Sequence, residues 1–189
     1  MKAQDFPVDL ELKKVGEAVT KAAASGPDVI YLSGRADDLV KVVRALHAAG
    51  VTTPILASSG LYDDGAMKTL KADAAGIVVS TCVPPIQLMP TAAAFQRRYE
   101  GQHGRLTAFS LFGYAAAQVA ISAAQEAGSN DKRALIRRLS TGLFQTVIGP
   151  VSFRNGGDPS DPNVYFYRYN AGSGFRYEAA AFPNPLILR

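Results

Sequence analysis

Six residues suited to holding a small polar molecule follow two apolar runs of this sequence, 28–32 and 54–57. They are Ser33, Gly34, Arg35, Ser58, Ser59 and Tyr62. Their hydroxyl groups donate or accept hydrogen bonds, and the arginine adds a planar cation with five N–H donors. We interpret the set as candidate ligand-binding residues, because it offers polar contacts and charge to a bound solute.

The elements that must position these residues follow from periodicity. A helix-period segment, 36–49, lies between the two apolar runs, and the three pieces predict a βαβ unit. A third run, 76–81, also ends in hydroxyls, and further helices are predicted over 8–24 and 64–71. In open parallel sheets, ligands bind just beyond the carboxyl ends of the strands. The sequence therefore predicts that the loops after the first two strands line one side of a cleft.

The pattern changes at Val83-Pro84-Pro85, since two prolines continue neither a strand nor a helix. Helices are predicted over 91–100, 107–127 and 131–139, and strands over 151–153, 164–169 and 175–178. One stripe of the long helix is expected to be buried; it consists of Phe109, Phe112, Ala116, Val119 and Ala123. Turn signals in the tail, such as Asn155-Gly156, favour hairpins there.

Composition indicates a globular chain, with 48% apolar and 19% charged residues among 189. The net charge is +4, from 20 basic and 16 acidic residues. The one basic cluster, around Lys132 and Arg137, is interpreted as a solvated helix face, and no nucleic-acid partner is expected. Neither a signal peptide nor a membrane span is expected, since no apolar run approaches about 20 residues. Cys82 is the single cysteine, so no internal disulfide can form.

Several classes of chemistry are disfavoured. The sequence has no G-x-S-x-G elbow, no Walker loop and no G-x-G-x-x-G motif. A receiver-type phosphorylation site or a phosphatase of this sheet type needs aspartates at strand ends to hold Mg²⁺, where this chain has serines and threonines. His47, His103 and Cys82 lack metal-ligand spacing. We therefore expect no catalysis, no metal and no cofactor.

The order of several motifs points to a known family. The motifs are the strand 27–31, the helix end 44–51, Phe95-Gln96-Arg97-Arg98-Tyr99, Tyr114-Ala115-Ala116-Ala117, and 148–153 followed by Gly156-Gly157-Asp158. Together they resemble the C-terminal half of type I periplasmic substrate-binding proteins, the group of leucine/isoleucine/valine-binding proteins. The resemblance covers nearly the whole chain.

The resemblance implies a partial α/β fold of the type I periplasmic-binding-protein kind. It would contain a parallel βαβ sheet lobe, helices of the other lobe and a C-terminal β-hairpin region. The implied domains are 1–83 as the second lobe of a flytrap, 84–148 as a helical part of the first lobe, and 149–189 as the return crossing and C-terminal β segment. Segments 83–85 and 148–150 would be the crossings at the hinge.

The resemblance also implies a function. Two lobes would close around a small-molecule ligand in the periplasm and deliver it to the permease of an ABC transporter. Because the opening strands of the first lobe are absent, an apolar surface is expected to be exposed and to allow a homodimer. The alternative is a standalone small α/β protein, either a sensor or an enzyme of unknown class.

The ligand expectation rests on two positions. In amino-acid binders of the family, the loop after the second strand offers an acidic residue to the ligand's ammonium group, and that position is similar to Ser59. In the loop after the first strand, a family aromatic is replaced by Arg35, whose guanidinium suits a carboxylate. We therefore expect a small carboxylate or aromatic acid. The alternatives are that Arg35 is a solvated loop residue and that Ser58 and Ser59 serve turn formation.

Overall fold

The computed structural model describes residues 4–5, 12–104, 106–154, 156–160 and 162–181. The helices are α1 (Leu12–Ala24), α2 (Ala36–Ala48), α3 (Asp64–Leu70), α4 (Pro90–His103), α5 (Ala108–Ala127) and α6 (Lys132–Thr141). The strands are β1 (Ile30–Leu32), β2 (Ile55–Ala57), β3 (Val78–Thr81), β4 (Leu143–Thr146), β5 (Gly149–Ser152), β6 (Val164–Asn170) and β7 (Gly174–Ala181). The start of the first predicted helix, 8–11, lies outside the described residues. Within the described ranges, no helix has the length and apolar character to cross a membrane.

The chain divides into two compact units. Unit 1 contains the described residues up to Cys82 together with Val164–Ala180, and unit 2 contains the described residues of Val83–Asn163. The chain thus leaves unit 1 after Cys82 and returns to it at Val164. The expected segment 149–189 is therefore divided between the two units, and the assignment of each unit to a receptor lobe stays a prediction.

Unit 1 is built on a five-stranded sheet with the order β1-β2-β3-β6-β7. The first three strands are parallel, with Leu32 opposite Ala57 and Ala57 opposite Val79. This confirms the predicted parallel βαβ sheet and the α/β class. Strand β6 runs antiparallel to β3, and Val79 faces Tyr167 with both side chains buried. The C-terminal hairpin, which consists of β6 and β7, therefore extends this same sheet. Its aromatic side chains alternate along the strand, and Tyr167 adds to the sheet face on which Val79 is buried.

The core of unit 1 lies between this sheet and helices α1, α2 and α3. Helix α2 buries Leu39, Val40, Val43 and Leu46, as its 3.6-residue period predicts. Helix α1 contributes Val15 and Val19 to the same cluster, and α3 contributes Met67 and Leu70. These contacts fix the strand ends at which the candidate ligand residues lie.

Unit 2 packs α5 against α4, α6 and the hairpin formed by β4 and β5. The row of α5 residues that is buried consists of Leu111, Ala115, Val119 and Ala123. The predicted stripe was wrong at Phe109, which is 80% exposed, and at Ala116, which is also exposed. The error has a physical cause: a helix that is apolar on nearly every side gives no polar face from which the buried side can be inferred.

Strand β4 was missed by the sequence analysis. Its residues alternate between exposed and buried, and Phe144 pairs with Val151 of β5. The hydroxyl of Thr146 donates to the carbonyl oxygen of Gly149 at 2.6 Å across the tight turn. The central residues of that turn are Val147 and Ile148, which are not turn formers, so the usual hairpin signal is lacking.

A cross-strand ion pair on the C-terminal hairpin gives a pH-dependent prediction. Arg168 donates two hydrogen bonds to Glu178, each 2.9 Å long, and this contact lowers the pKa of the Glu178 carboxyl below its ordinary value. A lowered pKa means that the pair stabilises the fold above the carboxyl's unfolded-state pKa and is lost as the pH falls through the folded-state pKa. We expect Glu178→Gln to lower the thermal midpoint at pH 7 and to match the wild type in strong acid. A difference that is constant across the pH range would contradict this.

Candidate functional site

The loops that follow β1 and β2 are in direct contact at the carboxyl edge of the sheet. A Cβ atom on Gly60 would lie 2.0 Å from the carbonyl oxygen of Gly34, so only glycine allows this approach. The backbone N–H of Ser58 donates to the carbonyl oxygen of Leu32 at 2.8 Å. Because β1 and β2 are adjacent and parallel, the structure brings Ser33, Gly34, Ser58 and Ser59 to one edge, as the βαβ prediction requires.

Arg35 lies at the N-terminus of α2 and is exposed. Its carbonyl oxygen accepts from the backbone N–H groups of Asp38 and Leu39 at 3.1 and 2.9 Å, which fixes its backbone. Asp38, one of two acidic residues in the first turn of α2, pairs with Lys41 at 3.3 Å. Within the described part of the chain, the Arg35 guanidinium makes no hydrogen bond or ion pair. Its positive charge is therefore available to a solute at the strand ends.

The three serines contribute hydroxyls that no described protein group uses. Ser33 and Ser59 are exposed, and Ser58 is half-buried. The carbonyl oxygens of Ser58 and Ser59 accept from the N–H groups of Leu61 and Tyr62, which forms a short 3-10 turn at Ser59–Leu61. Leu61 is fully buried and anchors that turn. The backbone of the loop is thus fixed while its hydroxyls stay open to solvent.

Tyr62 differs from the other candidates because its ring is part of an aromatic cluster. Its centroid lies 4.9 Å from that of Tyr167 and 4.7 Å from that of Phe175. The side chains of Tyr62 and Tyr167 are hydrogen-bonded, and burial together with this contact raises the pKa of the Tyr167 hydroxyl. Tyr62 therefore attaches the loop after β2 to strand β6. Contact between Tyr62 and a ligand stays a prediction.

Tyr167 is the residue of this region that sequence reasoning did not select. It is buried on β6, and its ring packs against the ring of Tyr62. The signal was present in the alternation of Tyr165, Tyr167 and Tyr169 along the predicted strand. That alternation identifies a packed face, but it does not identify which loop the face supports.

The hydroxyls at the end of β3 serve the sheet itself. Ser80 donates to the carbonyl oxygen of Ala57 at 3.1 Å, and Thr81 is buried. Two other titratable side chains of unit 1 have structural partners: Asp63 caps α3 by accepting from the Ala66 N–H at 2.7 Å, and His47, in the last turn of α2, contacts Asp73 at 2.9 Å. Among the described residues, no three metal-binding side chains cluster. Of the three parallel strands, the first two are therefore the ones whose following loops carry serine hydroxyls without a described protein partner.

Unit 2 has a groove of about 490 Å³ between α4 and the start of α5. It is lined by Phe95, Arg98, Tyr99, Gln102, His103, Ser110 and Tyr114. The rings of Phe95 and Tyr114 are stacked with centroids 4.3 Å apart, and the Tyr99 hydroxyl donates to Ser110 at 3.3 Å. The four-residue spacing of Phe95, Tyr99 and His103 could have indicated this aromatic row.

The chain is similar to known proteins in sequence and in fold. The Leu/Ile/Val-binding protein homolog 1 of Brucella abortus (strain 2308) is 25% identical over 171 residues, which are 90% of this chain and 46% of the relative. A leucine-binding protein from Thermotoga maritima MSB8 matches with a TM-score of 0.80 and 22% identity, over 95% of this chain and 50% of that one. An ABC-transporter solute-binding protein from R. palustris, solved in complex with benzoate, matches with a TM-score of 0.74 and 20% identity, over 95% and 49% of the two chains.

The chain thus spans about half the length of the curated relatives it matches. The structural likenesses, at 22% and 20% identity, show a shared fold. The family model for periplasmic binding proteins matches residues 3–174, which is most of the sequence. The resemblance drawn from the motifs is therefore confirmed, and the chain belongs to the periplasmic binding protein family.

Proposed function

We propose that this chain supplies one side of the ligand site in the solute-binding component of an ABC-type uptake system. It would bind a small carboxylate in an interlobe cleft in the periplasm, without catalysis, for delivery to a permease. The observation that carries the proposal is the unneutralised Arg35 guanidinium beside serine hydroxyls at the ends of two adjacent parallel strands. The family of the chain supports a binding role, since its members are solute-binding proteins.

The chemistry of the six candidate residues favours an acid over an α-amino acid. A buried ammonium group needs a carboxylate or several strong acceptors as partners, and Ser33, Ser58 and Ser59 offer only neutral hydroxyls. Arginine binds a carboxylate through two parallel N–H···O bonds, which are stronger than bonds between neutral groups. Benzoate, the ligand of the R. palustris relative, is an acid of the kind that this edge would accept.

Substitution of Arg35 tests the proposal. In a thermal-shift titration, benzoate is expected to raise the melting temperature of the wild type, because a ligand that binds only the folded state stabilises it. Arg35→Gln is expected to weaken apparent affinity by roughly tenfold to a hundredfold, the equivalent of one lost charged hydrogen-bond contact. Arg35→Lys should keep part of the affinity, since lysine retains the positive charge but lacks the two parallel N–H donors of the guanidinium.

The matched control is Arg137→Gln, which removes the same charge from an exposed position on α6. It should leave the benzoate response unchanged. The proposal is wrong if Arg35→Gln responds to benzoate as the wild type does, or if leucine stabilises the chain and benzoate does not.

A further inference from the structure

A row of aromatic rings runs along one face of α4. Phe95, Tyr99 and His103 are spaced four residues apart, and the ring centroids of successive members are 5.6 and 5.0 Å apart. A rise of 1.5 Å per residue makes this row about 12 Å long. The ring of Tyr114, on α5, stacks on Phe95 and extends the aromatic surface onto the second helix. These four rings line the α4–α5 groove described above.

Hydrogen bonds fix the two helices of the groove to one another. The Tyr99 hydroxyl donates to Ser110 Oγ at 3.3 Å, and Ser110 Oγ lies 2.8 Å from Thr107 Oγ1, which also caps α5 by accepting from the Ser110 N–H. Tyr114 is 43% exposed, so its ring can be reached from solvent. The groove volume of about 490 Å³ lies within the usual range of small-molecule sites, about 300–1,000 Å³. The groove is therefore preformed and large enough for an organic ligand.

The ionisable side chains that line the groove favour an anion. Arg98 and His103 line it together with the Gln102 amide, and among the described residues no acidic side chain does so. Arg98 is exposed, and within the described ranges its guanidinium makes no hydrogen bond or ion pair. Glu100, the one acidic residue of α4, lies outside the lining and accepts from the Leu106 N–H at 3.0 Å. A negatively charged group in the groove would therefore meet cationic and neutral donors.

We infer that the α4–α5 groove is a binding site for a planar aromatic anion built on two or more fused rings. Flat ring systems stack on aromatic side chains, and a guanidinium binds an anionic oxygen or stacks on a ring itself. A single-ring acid such as benzoate would cover a small part of the row, whereas a fused ring system contacts Tyr114 and the α4 rings together. The inference does not rest on the proposed function, because the groove lies in unit 2 and shares no residue with the strand-end loops.

The test is a calorimetric titration of the full chain with 2-naphthalenesulfonate, a fused two-ring anion. We expect saturable binding that Arg98→Gln weakens roughly tenfold, because one charged hydrogen-bond partner is lost. Arg97→Gln is the matched control: it removes the same charge from the neighbouring exposed position, which does not line the groove, and should leave the affinity unchanged. Arg35→Gln should leave the affinity of the groove unchanged as well. Amide chemical shifts on binding should concentrate in 95–103 and 110–114.

Two further probes separate the contributions of ring size and charge. Benzenesulfonate has the same anionic group on one ring, and 2-naphthalenemethanol has the same fused rings without the charge; both should bind more weakly than 2-naphthalenesulfonate. Equal affinity of either probe, no saturable binding, or equal losses in Arg97→Gln and Arg98→Gln would overturn the inference. Shifts confined to the loops 33–35 and 58–62 would do the same. None of these results depends on benzoate binding, so failure here is distinct from failure of the proposed function.

Discussion

Replacing Gly60 by alanine is expected to lower the free energy of unfolding by about 3 kcal/mol or more, which is a large effect for one methyl group. The added Cβ would lie 2.0 Å from the carbonyl oxygen of Gly34 and 3.1 Å from its carbonyl carbon. Both neighbours are backbone atoms, so no side-chain rotation relieves the overlap. The loops after β1 and β2 would have to separate, and urea unfolding followed by circular dichroism measures the cost.

Gly16→Ala is the control for this substitution. Gly16 lies within α1, and an added Cβ there would meet nothing within 4 Å. Alanine should therefore be neutral or stabilise the helix by up to about 1 kcal/mol. If Gly60→Ala were as stable as Gly16→Ala, the contact between the two loops, and with it the shape of the candidate site, would be incorrect.

Phe144→Ala is expected to destabilise unit 2 by about 3–5 kcal/mol, the usual range for removing a buried phenylalanine. Phe144 is 1% exposed and packs with Val119 and Ala123 of α5. The Arg138 guanidinium lies 5.4 Å from its ring centroid, so the substitution also removes a cation–π contact. Because the chain has no tryptophan whose fluorescence could report unfolding, urea unfolding should be followed by circular dichroism.

Phe109→Ala provides a comparison with the same change of side chain. Because Phe109 is 80% exposed, its loss should change the free energy of unfolding of the isolated chain by no more than about 0.5 kcal/mol. Equal costs for Phe144→Ala and Phe109→Ala would contradict the packing of α5 described above.

Much of the fold follows from local sequence, and the exceptions have physical causes. Helix α2 has charged residues opposite its apolar ones, so Leu39, Val43 and Leu46 could be predicted as its buried side. Helix α5 lacks that contrast, and Phe109 was consequently placed on the wrong face. Strand β4 is only four residues long and its turn has no glycine or asparagine at the centre, so neither propensity nor turn chemistry marks it.

The candidate site, too, can be predicted from the sequence only in part. Parallel pairing places Ser33 and Ser58 at one edge, and that follows from the βαβ pattern alone. The close approach of Gly34 and Gly60 does not, because it depends on how two loops distant in sequence meet. The Tyr62–Tyr167 contact likewise joins residues about a hundred positions apart, and a strand pattern cannot indicate which loop it will support.

The most direct test of the proposed ligand site is a benzoate titration of the isotopically labelled chain, followed by amide chemical shifts in two-dimensional NMR. We predict that the shifts concentrate in the loops 33–35 and 58–62 and are lost in Arg35→Gln. Shifts that concentrate instead in the α4–α5 groove around Phe95 and Tyr114, or no shifts at millimolar benzoate, would contradict the proposal that Arg35 and the strand-end serines bind a carboxylate.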